Sequence, residues 1–409
     1  LKILLITNLF APDELAGASL YSDLAFYLKN QGSDIRVLCT FSYYPAWSLI
    51  PEDEGVSVRD ESWHGIPVRR ISMYVPKNPS GLKRIVSDLS FFLSIIRRNF
   101  CDDWHPDVVI TALPMFSQCM AQRFLYRGCS IPRIIIVQDF VLDAALELGL
   151  LNLPGIAFPL RLLEKWSLRS ADTLSTISQQ MLKKLRSIVG SDRRLLYIPN
   201  WIHESLAQKI RVQSQDRPSR REQTLLYSGN LGVKQGLPDF IETFIKSSTG
   251  WNLRVHGGGA DKDRLFEATR GQGAIRVQGV LNEADYVSEL LTCTASLVTQ
   301  MPGLGANFLP SKLLPAIAAG TPVLAICDPN SPLGIEVRKG EFGEVISPAD
   351  VIGLKTLLKK WADNPGILEK YSENALQRAI IYSRDKILPQ YEQELLRLIN
   401  TNKKLKKIR

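Results

Sequence analysis

Four histidines in 409 residues, at 64, 105, 203 and 256, are too few and too scattered to build a metal centre. Six cysteines (Cys39, Cys101, Cys119, Cys129, Cys293, Cys327) form no CxxC pair and no Cys/His cluster. Neither a zinc site nor a disulfide frame is expected, and the thiols read as reduced, as in a cytosolic protein. No apolar run approaches the roughly 20 residues that a membrane span needs. The chain opens on LKILLIT, a strand pattern, so no signal peptide is expected. Neither half carries GxGxxG after its first strand, which argues against a nicotinamide dehydrogenase. Nucleic acid is not an expected partner, because no basic run is interleaved with stacking aromatics.

What the chain does have is length and regular alternation. Its apolar share of 45% with 22% charged residues is that of a globular protein, and 409 residues exceed one ordinary core, so two domains are expected. In the first half, strand patterns at 1–7, 35–38, 68–71, 108–111, 134–137, 173–177 and 195–198 alternate with helical spacings. A second series begins at 225–227 and runs through 253–255, 275–277, 295–298, 323–326 and 345–346. Such alternation predicts two doubly wound α/β domains with parallel sheets, whose function belongs at the carboxyl ends of the strands. Between them, 201–223 is polar and reads as a linker and surface loop. The expected division is 1–200, 201–223, 224–385, and a terminal helix with basic tail over 386–409.

Several strand-end loops have the chemistry of an anion site. In the second half, Gly229, Gly232 and Gly236 surround Asn230 and Lys234; Gly257, Gly258 and Gly259 follow His256; Gly303 and Gly305 precede Ser311 and Lys312. Glycine lets backbone amides approach phosphate oxygens closely. The stretch 307–325, NFLPSKLLPAIAAGTPVLA, predicts a helix capped by Ser311 and closed by Gly320, with the amides of Ser311, Lys312 and Leu313 free to meet a phosphate. The plainer alternative is a capped core helix with one surface lysine. In the first half, Gly17 opens a helix after the first strand, and Asp139 and Asp143 follow the strand at 134–137. Either aspartate is a candidate to orient a substrate hydroxyl or to cap the following helix.

Taken together, two Rossmann-like halves, Asn200 before the linker, SGNLGVKQGL, the triple glycine, VQDF and PSKLLPAIAAGTPVLA resemble glycosyltransferase family 4, in its bacterial exopolysaccharide and O-antigen branch, which includes colanic-acid-type enzymes. The resemblance covers nearly the whole chain. It implies the GT-B fold, with the terminal helices returning to the N-terminal domain, and transfer of a sugar from a nucleotide donor with retention. It implies a donor-diphosphate role for Lys234, the second member of the family's basic pair, while the first, usually arginine, falls on Asn230. The family's two glutamates fall on Asn307 and Pro315, which leaves Glu336 as the substitute for holding the ribose, and its His-Asp pair falls on Gln138 and Asp139. Catalytic roles are thus expected of Lys234, Asp139 and Asp143. Gly17, Gly229, Asn230, Gly257, Gly258, Gly305, Ser311, Lys312, Leu313 and Glu336 are expected to serve the donor.

From that resemblance the expected partners are a UDP-linked sugar donor and a glycan or lipid-linked acceptor, with no metal and no cofactor. An epimerase on the same fold and a non-catalytic membrane-recruited scaffold are the alternatives. The net charge of +9 asks for an anionic partner. Over 82–100, Leu82, Ile85, Val86, Leu89, Phe92, Leu93 and Ile96 make an apolar stripe framed by Lys83, Arg84, Arg97 and Arg98. This is the expected contact with the anionic inner face of the plasma membrane, the alternative being a core-packed helix with basic ends. The basic tail, Lys403, Lys404, Lys406, Lys407 and Arg409, reads as a solvated end or a weak membrane contact.

Overall fold

The structure is a computed structural model that describes the chain except for residues 14–15, 45, 79, 101–103, 114–115, 148–154, 156, 217–222, 304–308 and 409. The chain forms two compact units, one of Leu1–Pro199 with Ile387–Arg409 and the other of Asn200–Lys386.

Among the described residues the N-terminal unit holds eight strands: β1 (Lys2–Ile6), β2 (Asp34–Thr40), β3 (Val58–Trp63), β4 (Ile66–Ile71), β5 (Val108–Ala112), β6 (Arg133–Val137), β7 (Thr173–Thr176) and β8 (Arg194–Tyr197). Their order is β3-β4-β2-β1-β5-β6-β7-β8. Aliphatic runs such as ILLI in β1 and IIIV in β6 are buried on both faces, as a helix-covered parallel sheet requires. The exception is the edge, where β3 pairs antiparallel with β4 around His64 and Gly65. Both turn residues have positive φ, 48° and 73°, the geometry of a two-residue hairpin. Periodicity alone predicts only the strand at 68–71; the His-Gly dipeptide is the signal for its partner.

The C-terminal unit holds β9 (Thr224–Ser228), β10 (Asn252–His256), β11 (Ile275–Gln278), β12 (Ala295–Thr299), β13 (Val323–Ile326) and β14 (Gly343–Ile346), all parallel, in the order β11-β10-β9-β12-β13-β14. The strand order reverses between β9 and β12, so the loops after these two strands diverge and leave a crevice at their carboxyl ends. In the first sheet the same reversal lies between β1 and β5.

One segment differs from the sequence reading. Much of the expected linker is the helix Glu204–Gln213, whose Leu206 and Ile210 join the core of the C-terminal unit. Only those two apolar residues, four apart, mark its buried face, so its composition resembles a loop. In the helix Gly81–Arg98, the buried residues are Ser87, Phe91, Ser94 and Ile95. The densest part of the apolar stripe faces outward, with Leu82 59%, Val86 53%, Leu89 47% and Leu93 46% exposed. At the other end of the chain, the helix Arg384–Ile408 packs Leu388, Tyr391 and Leu395 into the N-terminal unit. Its buried Glu394 accepts hydrogen bonds from Thr173 Oγ1 (2.6 Å) and Arg194 Nε (3.0 Å).

Candidate functional site

The site is built on the loop after β9. Gly229 has φ +143°, and its amide donates to His256 O (2.9 Å) on the neighbouring β10. Leu231 N donates to Gly258 O and Asp261 N to Leu231 O, each at 2.9 Å. The loops after β9 and β10 are thus joined backbone to backbone. A Cβ at Gly257 would lie 1.9 Å from Gly229 O, and one at Gly259 would lie 2.4 Å from Leu231 O. These two glycines leave room for contact between the loops. Gly258 has room, since its Cβ would meet only Val280 at 3.5 Å, and Gly17 also stands in ordinary space.

Lys234 lies in the single turn Val233–Gln235, which Gly236 closes at φ +60°. The amide of Met301, just past β12, donates to Lys234 O (2.9 Å), so the loops on both sides of the strand-order reversal meet at this lysine. Asn230 is exposed beside it, and its carbonyl accepts from Tyr227 Oη (2.6 Å). Gly305 and Asn307 lie outside the described residues.

The stretch after 309 departs from the helix-terminus expectation. Its helix is Leu313–Ala318, only six residues long, and Lys312, in αR geometry, precedes it with no side-chain cap. Ser311 is exposed and is not the cap, and the amide of the buried Leu313 is already committed to Pro310 O (3.2 Å). One and a half turns align too few peptide dipoles to make a strong anion site. What the segment supplies is a side chain. Lys312 Nζ is shut off from solvent without a hydrogen-bond partner among the described residues, 3.6 Å from the centroid of the Tyr227 ring. A Cβ at Gly229 would stand 3.2 Å from that nitrogen. Desolvation pulls its pKa down to about 7. Thr299 Oγ1, at the end of β12, is likewise buried with no partner among the described residues. The site therefore gathers Lys234, Lys312, Thr299 and backbone at one strand-order reversal, as an anionic ligand requires. Tyr227, which sequence reasoning missed, is the floor beneath Lys312; nothing in YSGN marks the ring apart from an ordinary core tyrosine.

Glu336 is a correction. Its carboxylate accepts from Arg378 Nε (2.6 Å), Arg378 Nη2 (2.9 Å) and Tyr382 Oη (2.6 Å). Both oxygens are spent tying the helix Pro332–Gly340 to Pro365–Ile381 and its cap, so the carboxylate is not the stand-in for a ribose-holding glutamate.

In the N-terminal unit, Gln138 and Asp139 follow β6 and both act on Tyr21, whose hydroxyl donates to Leu113 O (3.1 Å) after β5. Asp139 therefore stands at the carboxyl edge of the sheet, as expected. Asp143 does not stay available. Only 4% exposed, it pairs with Arg161 (2.9 Å) and Lys184 (2.6 Å), two cations that neutralise it, and this corrects the expectation that it orients a hydroxyl. Beside it Glu164 is 2% exposed, and burial followed by the Asp143 charge pushes its carboxyl up to about 7. Among the described residues, no three His, Cys, Asp or Glu side chains gather as metal ligands.

Comparison with known proteins divides the chain in the same two parts. Residues 17–201 match the family model described as Glycosyl transferase 4-like domain, and residues 208–378 match Glycosyl transferases group 1. The putative colanic acid biosynthesis glycosyl transferase WcaI of Escherichia coli K12 is 29% identical over 354 residues, covering 82% of this chain and 85% of that protein. The solved sucrose-phosphate synthase from Thermosynechococcus elongatus aligns with a TM-score of 0.72 at 15% identity, over 98% of this chain and 99% of that one. Anabaena HepE, solved in complex with UDP, aligns with a TM-score of 0.66 at 14% identity, over 97% and 99%.

Proposed function

This chain belongs to the family 4 glycosyltransferases, on the GT-B fold, and we propose that it moves a sugar, with retention, from a uridine diphosphate sugar to a glycan or lipid-linked acceptor in cell-surface polysaccharide or glycolipid synthesis. The observation that carries the reading is the pair of lysines at the β9/β12 reversal, one on the turn Val233–Gln235 and one buried on Tyr227. When the donor bond breaks, negative charge grows on the diphosphate, and cations fixed beforehand in a site of low dielectric stabilise it more in the transition state than in the ground state. With two lysines in that role, the leaving group needs no metal. The name of the E. coli relative supports the product class, and the UDP complex of Anabaena HepE supports the nucleotide.

The acceptor side is read as the N-terminal unit, with Asp139 as the group that orients the attacking hydroxyl. Its outer surface supports a lipid setting. The exposed row Leu82, Val86, Leu89 and Leu93 continues through Phe124 (50% exposed) to Phe158, Leu162 and Trp166 on the helix Ala157–Leu168. Ring contacts Phe92–Phe124 (5.5 Å) and Phe124–Trp166 (6.1 Å) join the three helices that carry it. The acids on those helices face inward: Asp88 accepts from the amides of Phe116 and Ser117, and Glu164 is buried. Lys83, Arg97 and Lys165 remain exposed, so an apolar face with cationic flanks suits an anionic bilayer surface. No helix among the described residues is long and apolar enough to cross a membrane.

The test is a thermal-shift and transfer screen against nucleotide diphosphates and their sugars. A UDP-sugar that stabilises the protein and is consumed only when a glycan or polyprenyl-linked acceptor is present supports the reading. Consumption without acceptor, or no response to any nucleotide sugar, overturns it.

A further inference from the structure

A buried ammonium without a hydrogen-bond partner is unfavourable, because lost hydration penalises the charged form. Lys312 is in that position, with Nζ closed in by the Tyr227 ring and Gly229 and no partner among the described residues. The titratable groups on the surrounding elements offer little compensation. The Tyr227 phenol is pushed far up by burial and stays protonated, so it lends only its ring face. His256, on β10, is held below its ordinary value chiefly by burial. Asp261 belongs to the loop after β10, nearer Tyr227, and Lys234 to the turn above. Desolvation accounts for the whole downward shift of Lys312, to about 7. Meanwhile position 230, where the resemblance expects an arginine, holds the uncharged Asn230.

We propose that Lys312 carries the second positive charge of the donor-diphosphate site, in the role vacated at position 230, and that it takes up a proton from solution when the diphosphate arrives. The inference rests on the donor-site reading above. In balance, the neutral amine, one proton from buffer and the diphosphate dianion give an ammonium paired with the diphosphate. Opposite charge at close range favours the protonated amine, and more strongly where water is excluded. Cleavage of the donor adds a further negative charge to the nucleotide, so the ammonium is held more firmly in the product than in the substrate. The proton returns to solution with nucleotide release.

Calorimetry with UDP-glucose, ADP-glucose and GDP-mannose as probes, near pH 8.5 in two buffers of different ionisation enthalpy, reads the proton directly. These diphosphate diesters do not themselves titrate in that range. The wild type is expected to take up close to one proton per site, with affinity falling about tenfold per pH unit above pH 7.5. Lys312→Met is expected to bind more weakly with no uptake. Lys312→Arg, permanently charged, is expected to lose both the uptake and the pH dependence. A second arm needs no ligand: denaturant unfolding of wild type and Lys312→Met across pH 6.5 to 10. The unfolded lysine keeps its proton to about pH 10.4 while the folded one releases it near 7, so wild type gains stability relative to the variant over that interval. Binding without proton uptake, or a stability difference flat with pH, overturns the coupling. Failure of every probe to bind, with the pH-dependent stability difference present, overturns the donor-site reading instead and the diphosphate role of Lys312 with it.

Discussion

A Cβ on Gly257 would stand 1.9 Å from the carbonyl oxygen of Gly229, which locks the loops after β9 and β10 into one piece. Gly258, next in the chain, has no such neighbour. Gly257→Ala is therefore expected to cost about 2–4 kcal/mol, because backbone has to move, whereas Gly258→Ala costs less than about 1 kcal/mol. Urea unfolding of the two variants checks this, and equal losses would contradict the joined-loop geometry.

Lys234→Ala is expected to lower kcat/KM for transfer by about a hundredfold, the scale for removing one fixed donor from a site of developing charge. The melting temperature should hardly change, since the side chain is half-exposed on a single turn. Unchanged turnover would remove Lys234 from the donor site.

Glu336→Gln tests the correction at that residue. The Arg378 pair is mostly shielded, with side-chain exposures of 15% and 14%, so neutralising one partner is expected to cost about 2 kcal/mol. The KM for the donor should stay as in wild type. A raised KM without loss of stability would restore the ribose-holding role.

Glu164 predicts a pH dependence. Below about pH 4 its carboxyl is protonated in both folded and unfolded chains. Between there and about 7 the unfolded chain has released the proton and the folded chain retains it, so stability falls as pH rises; above 7 the loss is complete. Relative to Glu164→Gln, wild type is expected to lose on the order of 2–3 kcal/mol between pH 4 and 8. Denaturation midpoints of the two proteins across that range give the difference, and a constant offset would refute it.

The triple variant Lys83→Ala, Arg97→Ala, Lys165→Ala removes three exposed cations from the apolar face. At about 1 kcal/mol each, its partition onto phosphatidylglycerol vesicles should drop about a hundredfold, while partition onto neutral vesicles changes little. Co-sedimentation reads both. Undiminished binding to the anionic vesicles would move the contact elsewhere.

The α/β architecture was legible because buried parallel strands need continuous aliphatic runs, and runs such as IIIV in β6 are hard to mistake. The helix Glu204–Gln213 was not, because two buried residues in ten leave a composition that also suits a loop. Within the candidate site, glycine and lysine at strand ends marked loops that the fold brings together at the β9/β12 reversal. Their individual roles depended on geometry that spacing does not encode: Gly257 faces a carbonyl, and Lys312 turns inward onto a ring instead of outward beside a helix end. Charges 41 and 42 residues apart also meet only through the fold, as Asp143 meets Lys184 and Glu336 meets Arg378. A carboxylate that looks available in a sequence is often already paired.

The return of residues 387–409 to the N-terminal unit also bears on how the chain is made. Thr173 and Arg194 wait for Glu394, and Tyr27 for Glu392, across two hundred or more residues of later synthesis. During translation the N-terminal unit therefore holds a seam along β7 and β8 open until the helix Arg384–Ile408 has been made and docks there.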